Sequence, residues 1–213
     1  MAVAELTLFG SFGVRAPNEG AINLLGQKER ALLAFLALSP GTTHARDKLA
    51  SLLWSDRADP QARDSLKHAL TSLRQCLQSP DSPAIVADRQ TVRLDPATVS
   101  TDVAAFERLL GTGTAESIEQ AAALYRGDLL DGISVRDAAF EDWLLVERQR
   151  LRRLAEGALA ALVSRAMAAG ERERAEAAAR RLLALDPLRE AASRALMQLH
   201  AERGEAEIGR AHV

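Results

Sequence analysis

The stretch from Pro60 to Leu94 limits this chain most. Pro60–Gln78 repeats leucine at helical spacing (Leu66, Leu70, Leu73, Leu77) and is punctuated by Arg and Lys. A Ser/Pro/Asp break follows, and then the short run Ile85–Leu94 with turn residues at Asp88-Arg-Gln90. An amphipathic helix followed at once by a small hairpin is the order of a winged helix-turn-helix. There the helix enters the DNA major groove and the hairpin tip reaches the backbone.

Placing residues at 100° steps puts Asp64, His68, Thr71 and Gln75 opposite the leucines, with Lys67, Ser72 and Arg74 at the flanks. A face of hydrogen-bonding side chains edged by cations suits groove reading, although an amphipathic helix with a solvated face has the same pattern. Arg89 sits near the hairpin tip and Arg93 on the returning strand. Either can meet phosphate; an ordinary surface arginine fits Arg93 equally well and Arg89 less well.

The rest of the first hundred residues supplies what such a helix needs behind it. Leu6–Val14 alternates and reads as a strand, Pro17–Gly20 as a turn, and Ala21–Leu25 as a second strand. Gln27–Ser39 reads as a helix that Pro40-Gly41 ends. Thr43 is a candidate cap for a short helix at Arg46–Trp54, with Leu49, Leu52, Leu53 and Trp54 facing inward. Asp59 is the expected cap of the third helix, with Pro60 at its first position. Asp95–Thr101 reads as a junction.

Beyond the junction the pattern is helical: Asp102–Leu110, Ala115–Tyr125, Phe140–Ala169, Arg172–Leu185 and Leu188–Arg203. Leu129 and Leu130, in the tight loop Gly127–Gly132, should fold inward. Phe140, Trp143 and Leu144 should close over that loop. Gly170 and Gly204 lie 34 residues apart, with alanines and Asp186-Pro187 between them, which are tetratricopeptide-type features. Such hairpins bind peptides or protein surfaces, or serve as scaffold alone.

Charge qualifies the DNA reading. The net charge is −2, and residues 1–100 carry 11 Lys and Arg against 10 Asp and Glu, a net of +1. Nucleic-acid contact must come from local placement of cations rather than from a bulk field. The single cysteine, Cys76, excludes an internal disulfide framework and fits a reducing cytoplasm. There is no apolar run of membrane-spanning length. No phosphate-cradling glycine loop appears, and His44, His68, His200 and His212 have no metal-ligand spacing. Neither an enzyme nor a cofactor is expected.

Several short pieces carry a resemblance: Leu6–Val14, Gln27–Ser39, Arg46–Trp54, Ala62–Arg74 and Val92–Asp95, then Thr101–Glu107, Leu124–Leu130, Phe140–Trp143, Glu147–Leu151 and Leu185–Pro187. In this order they resemble the antibiotic regulatory protein (SARP) class of bacterial transcriptional activators. The resemblance implies a mainly α protein with small β elements. An OmpR-type winged helix at 1–98 would precede a TPR-like, all-α bacterial transcriptional activator domain at 99–207. Ile208–Val213 stops one turn into what should be another repeat and reads as a non-native tail of a truncated gene, the alternative being a frayed C-terminus. The resemblance implies a sequence-specific activator whose partners are double-stranded DNA and RNA polymerase or another protein, a homodimer on DNA included. The DNA contacts would be Arg63, Lys67, His68, Thr71, Arg74, Gln75 and Arg89. Asp64 departs from a basic recognition helix. The alternative is a regulatory or interaction fragment of a larger signalling protein, for example a cyclase or nucleotide-binding regulator, with little DNA binding.

Overall fold

The computed structural model describes residues 4–16, 20–21, 26–77 and 83–211. The chain is mainly helical with small β elements. It forms two compact units that interleave in sequence: residues 1–107 with 124–149, and residues 108–123 with 150–213.

The first unit holds two small sheets and the helices that cover them. β1 (Ala4–Thr7), β2 (Gly13–Ala16), β3 (Gly20–Ala21) and β7 (Val99–Thr101) form one sheet in the order β3-β2-β1-β7, with β1 and β7 parallel. The single strand expected at Leu6–Val14 is therefore a hairpin, with Leu6 opposite Val14. Its five-residue loop explains the misreading. Leu8 and Phe12 keep the alternating pattern, but Phe9 and Ser11 bridge to Leu129 and Asp131 instead of continuing a strand. Gly10 turns the chain there with φ +76°, and a Cβ on Gly127 would lie 3.3 Å from the Gly10 Cα. The Asp102 carboxylate, 7% exposed, accepts from the Leu8 and Phe9 N–H groups at 2.8 and 3.1 Å. Burial raises its pKa above the ordinary range, partly offset by these bonds.

The junction at Asp95–Thr101 also differs from expectation. Val99–Thr101 pairs with β1, and the Ala4 N–H donates to the Thr98 carbonyl at 3.0 Å. The run is too short, and too close to Pro96, for its β character to register in sequence. The expected turn at Pro17–Gly20 and strand at Ala21–Leu25 fall mostly outside the described residues.

Three helices stand against the second sheet. They are α1 (Gln27–Leu38), α2 (Arg46–Leu53) and α3 (Asp59–Cys76). The sheet has the order β4-β6-β5, from β4 (His44–Ala45), β5 (Ile85–Ala87) and β6 (Thr91–Leu94). The core takes the expected leucines: Leu32, Leu36, Leu49, Leu53, Leu66 and Leu73 are fully buried, and Leu70, Leu77 and Trp54 nearly so. Leu52 is half-buried. Two cap expectations fail. α2 begins after Ala45 rather than Thr43, because His44 and Ala45 extend as β4 and pair with Val92 and Thr91. α3 is preceded by Ala58, and Asp59 is its first residue, where its charge suits the helix dipole. Burial, then Lys48, lowers the His44 pKa, and its ring packs 5.0 Å from that of Phe35.

Residues 124–149 complete this unit. Leu129 and Leu130 are buried, as expected, with Leu130 at φ 54°. The clamp over their loop is Arg148, which donates to both carbonyls at 2.7 and 2.9 Å. The Trp143 ring meets those of Phe35 and Phe140, with centroids 4.9 and 5.2 Å apart. Asp137, 2% exposed, accepts from the Ser55 N–H at 2.9 Å and its hydroxyl at 3.0 Å.

The second unit consists of helix against helix. α4 (Asp102–Thr112) and α6 (Ala138–Ala169) contribute residues 108–112 and 150–169, joined by most of α5 (Ala115–Leu124), α7 (Arg172–Leu185) and α8 (Glu190–Ala211). Its core is Ala122, Leu159, Val163, Ala178, Ala179, Leu182, Ala192 and Ala195. Alanine at so many contacts lets helix backbones approach closely. Gly170 turns α6 into α7 with φ +70°. Gly204, its expected counterpart, lies inside α8, where the helix formers flanking it carry the helix through.

Two stability changes follow. Asp137→Ala strips the Ser55 N–H and hydroxyl of their buried acceptor and should cost about 1–3 kcal/mol in urea unfolding. An unchanged midpoint would mean that water replaces the carboxylate. Trp143→Ala should cost about 2–3 kcal/mol, below the range for a fully buried tryptophan, because the ring is only half-buried.

Candidate nucleic-acid interface

The interface is built on α3 and the β5–β6 hairpin. Burial of Ala62, Leu66, Ala69, Leu70 and Leu73 fixes the rotation of α3 about its axis. That rotation leaves Arg63, Asp64, Lys67, His68, Thr71, Arg74 and Gln75 exposed. Arg89 is exposed at the hairpin tip, next to Gln90, and Arg93 is half-buried on β6. All seven residues expected to meet DNA are thus solvent-facing.

They differ in how free they are. Lys67, His68, Gln75 and Arg89 have no side-chain partner among the described residues. The Arg63 Nε donates to Asp47 at 2.8 Å, and this contact raises the guanidinium's pKa; its terminal nitrogens have no partner among the described residues. The Thr71 hydroxyl donates to the Lys67 carbonyl at 2.9 Å, so it offers a methyl and oxygen lone pairs but no proton. Arg74 leans toward the hairpin, with a nitrogen 3.5 Å from the Ala87 carbonyl.

An open cleft of about 1080 Å³ separates α3 from the hairpin. Arg46, Arg63, Lys67 and Arg89 line it, as do Asp47, Asp64 and Asp88. The cations exceed the anions by one, and two of the anions have structural duties. Asp47 holds Arg63. Asp88 builds the hairpin tip: its Oδ1 accepts from the Gln90 and Thr91 N–H groups, each at 2.7 Å, and its Oδ2 from the Thr91 hydroxyl at 2.9 Å. This is an Asx turn.

Arg46 fixes the hairpin from the other side. Its backbone N–H donates to the Gln90 carbonyl at 2.8 Å and its guanidinium to the Asp88 carbonyl at 2.9 Å. Sequence reading missed Arg46 and Asp47, because both act across more than 15 residues of chain. The only local signal was Asp88, two and three residues ahead of the amides it binds. Cys76, at the edge of the buried stripe, keeps its proton: burial, then Glu29, pushes the thiol's pKa up.

The hairpin tip should be pH-sensitive. The Gln90 N–H, then the Thr91 N–H and hydroxyl, hold the Asp88 carboxyl below its ordinary 3.8. A depressed carboxylate contributes stability above the ordinary value and loses it as pH falls through the lower folded one. The Gln90 and Thr91 amide signals should therefore shift and lose protection below pH 3.8. Asp88→Ala should give the same local loss at neutral pH with little change in global unfolding. Full protection in the variant would show that Arg46 alone holds the tip.

Comparison with known proteins places these elements in families. The model for the bacterial transcriptional activator domain matches residues 97–207, and that for the transcriptional regulatory protein C terminal matches residues 20–92. Both are regulator families rather than enzyme families. No curated protein matches significantly. Among solved structures, the chain is similar to Mycobacterium tuberculosis EmbR in complex with low affinity phosphopeptide, with TM-score 0.70 and 20% identity. The alignment covers 98% of this chain and 58% of that one, so the chain spans little more than half of its structural neighbour. At that identity the likeness is one of fold. The chain belongs to the bacterial transcriptional activator domain family, in the SARP-type arrangement of an OmpR-type winged helix followed by that domain.

Proposed function

We propose that this regulator binds double-stranded DNA with α3 in the major groove and the β5–β6 tip on the backbone, and that it activates transcription from promoter-proximal repeats. In this reading residues 1–98 are the DNA-binding part. Residues 99–207 make protein contacts, with RNA polymerase or with a second copy on DNA, inside the cytoplasm. The observation that carries it is the exposed face of α3 opposite its leucines, flanked by a hairpin whose tip is fixed by Asp88 and Arg46. No helix among the described residues is long and apolar enough to cross a membrane.

Roles divide by chemistry. Lys67, Arg74 and Arg89 neutralise phosphate, with Arg63 adding the terminal nitrogens that Asp47 leaves unpaired. His68 and Gln75 present hydrogen-bonding groups to base edges, and Thr71 presents a methyl and an acceptor. The closing experiment is duplex binding as a function of salt. Each lost phosphate contact reduces the slope of log K against log salt by about 0.9. Lys67→Ala with Arg74→Ala should weaken binding to all duplexes alike and flatten that slope by about 2. Unchanged affinity would remove α3 from the groove. Replacing His68 and Gln75 should alter the preferred sequence and leave the slope in place.

A further inference from the structure

We infer that Asp64 is a specificity-determining residue that selects cytosine in the DNA site. The inference rests on the DNA-binding reading above and adds to it a residue whose charge argues against simple phosphate attraction.

Asp64 lies in the first two turns of α3, the part of a recognition helix that meets base edges. It is exposed, lines the cleft facing the hairpin, and carries no ion pair or side-chain hydrogen bond among the described residues. Asp47 and Asp88, its companions in the cleft, are both committed to holding other groups. The nearest cation in sequence, Arg63, gives its Nε to Asp47 and leaves Asp64 unneutralised. A free carboxylate facing a polyanion weakens every complex unless a donor meets it.

The donor is restricted by base chemistry. An ionised carboxylate only accepts hydrogen bonds. In the major groove, guanine presents two acceptors at N7 and O6, and thymine an acceptor and a methyl. Adenine places its N7 acceptor beside its amino group, whereas cytosine presents an amino group with no acceptor beside it on the same base. Asp64 is repelled by guanine and thymine, divided over adenine, and satisfied by cytosine. The carboxylate thus lowers affinity for duplex in general and returns it at one base.

The test is selection of bound duplexes from a random pool by the full chain, its D64A variant and its D64N variant. The native chain should enrich cytosine at one position of the site, by roughly tenfold to a hundredfold over other bases. D64A should lose that preference and bind unselected duplex more tightly. D64N should move the position toward adenine, whose N6 and N7 an amide can pair with together. Circular dichroism and unfolding midpoints of the variants should match those of the native chain.

Identical selected sequences for the native chain and D64A would overturn the inference while leaving DNA binding intact. So would tighter binding of every duplex with unchanged base preference, the result for a carboxylate that merely repels phosphate or suits the helix dipole. If the native chain retains no duplex at low salt, the DNA-binding reading itself falls, and this inference with it.

Discussion

A winged helix depends on a fixed distance between its third helix and its hairpin tip, and here the corner between β4 and α2 holds that distance. Ala45 pairs with Thr91, the Arg46 amide reaches Gln90, and the Arg46 guanidinium reaches the Asp88 carbonyl. The same helix sends Asp47 across to Arg63 on α3. One short helix therefore touches both halves of the proposed DNA surface. Exposed ion pairs such as Asp47–Arg63 contribute little to stability. What this one does is aim a side chain.

The remainder of the first unit uses side-chain hydrogen bonds to close loops that have no regular pairing. Asp102 takes two amides of the β1–β2 loop, Asp137 takes Ser55, and Arg148 donates to two carbonyls of the Leu129–Leu130 loop. The Leu8 and Phe9 amides and the Leu129 carbonyl would otherwise be buried without a partner. No buried side-chain nitrogen or oxygen among the described residues lacks one. The second unit does the reverse, relying on small side chains and regular helices.

Legibility from sequence followed the range of the forces involved. Periodic burial located all three helices of the winged part and the hairpin at Ile85–Leu94, because leucine spacing and Asp-rich turn chemistry are local. It also exposed the correct face of α3. The Leu6–Val14 segment misled because alternation continues through a loop whose partners, Asp102, Leu129 and Asp131, lie far along the chain. Thr43 misled because a good cap residue loses to strand pairing by its neighbours. Within the candidate site, exposure was legible but commitment was not. Nothing near Arg63 in the chain shows that Asp47 holds it, and nothing near Thr71 shows that its proton is spent on its own helix. The resemblance to SARP-type activators supplied the family. The residues' own geometry supplied which of them are free.

The Asx turn at the hairpin tip has a consequence for how this surface can change. Asp88 takes the turn's amides and the Thr91 hydroxyl, and Arg46 donates to the Asp88 and Gln90 carbonyls. The side chains of Arg89 and Gln90 contribute nothing to the fold of the tip. They can be exchanged for other contact residues without disturbing the hairpin, as letters are changed in a fixed frame. Asp88 and Arg46 form that frame. Descendants of this chain with new DNA preferences should keep both and vary what lies between Asp88 and Thr91.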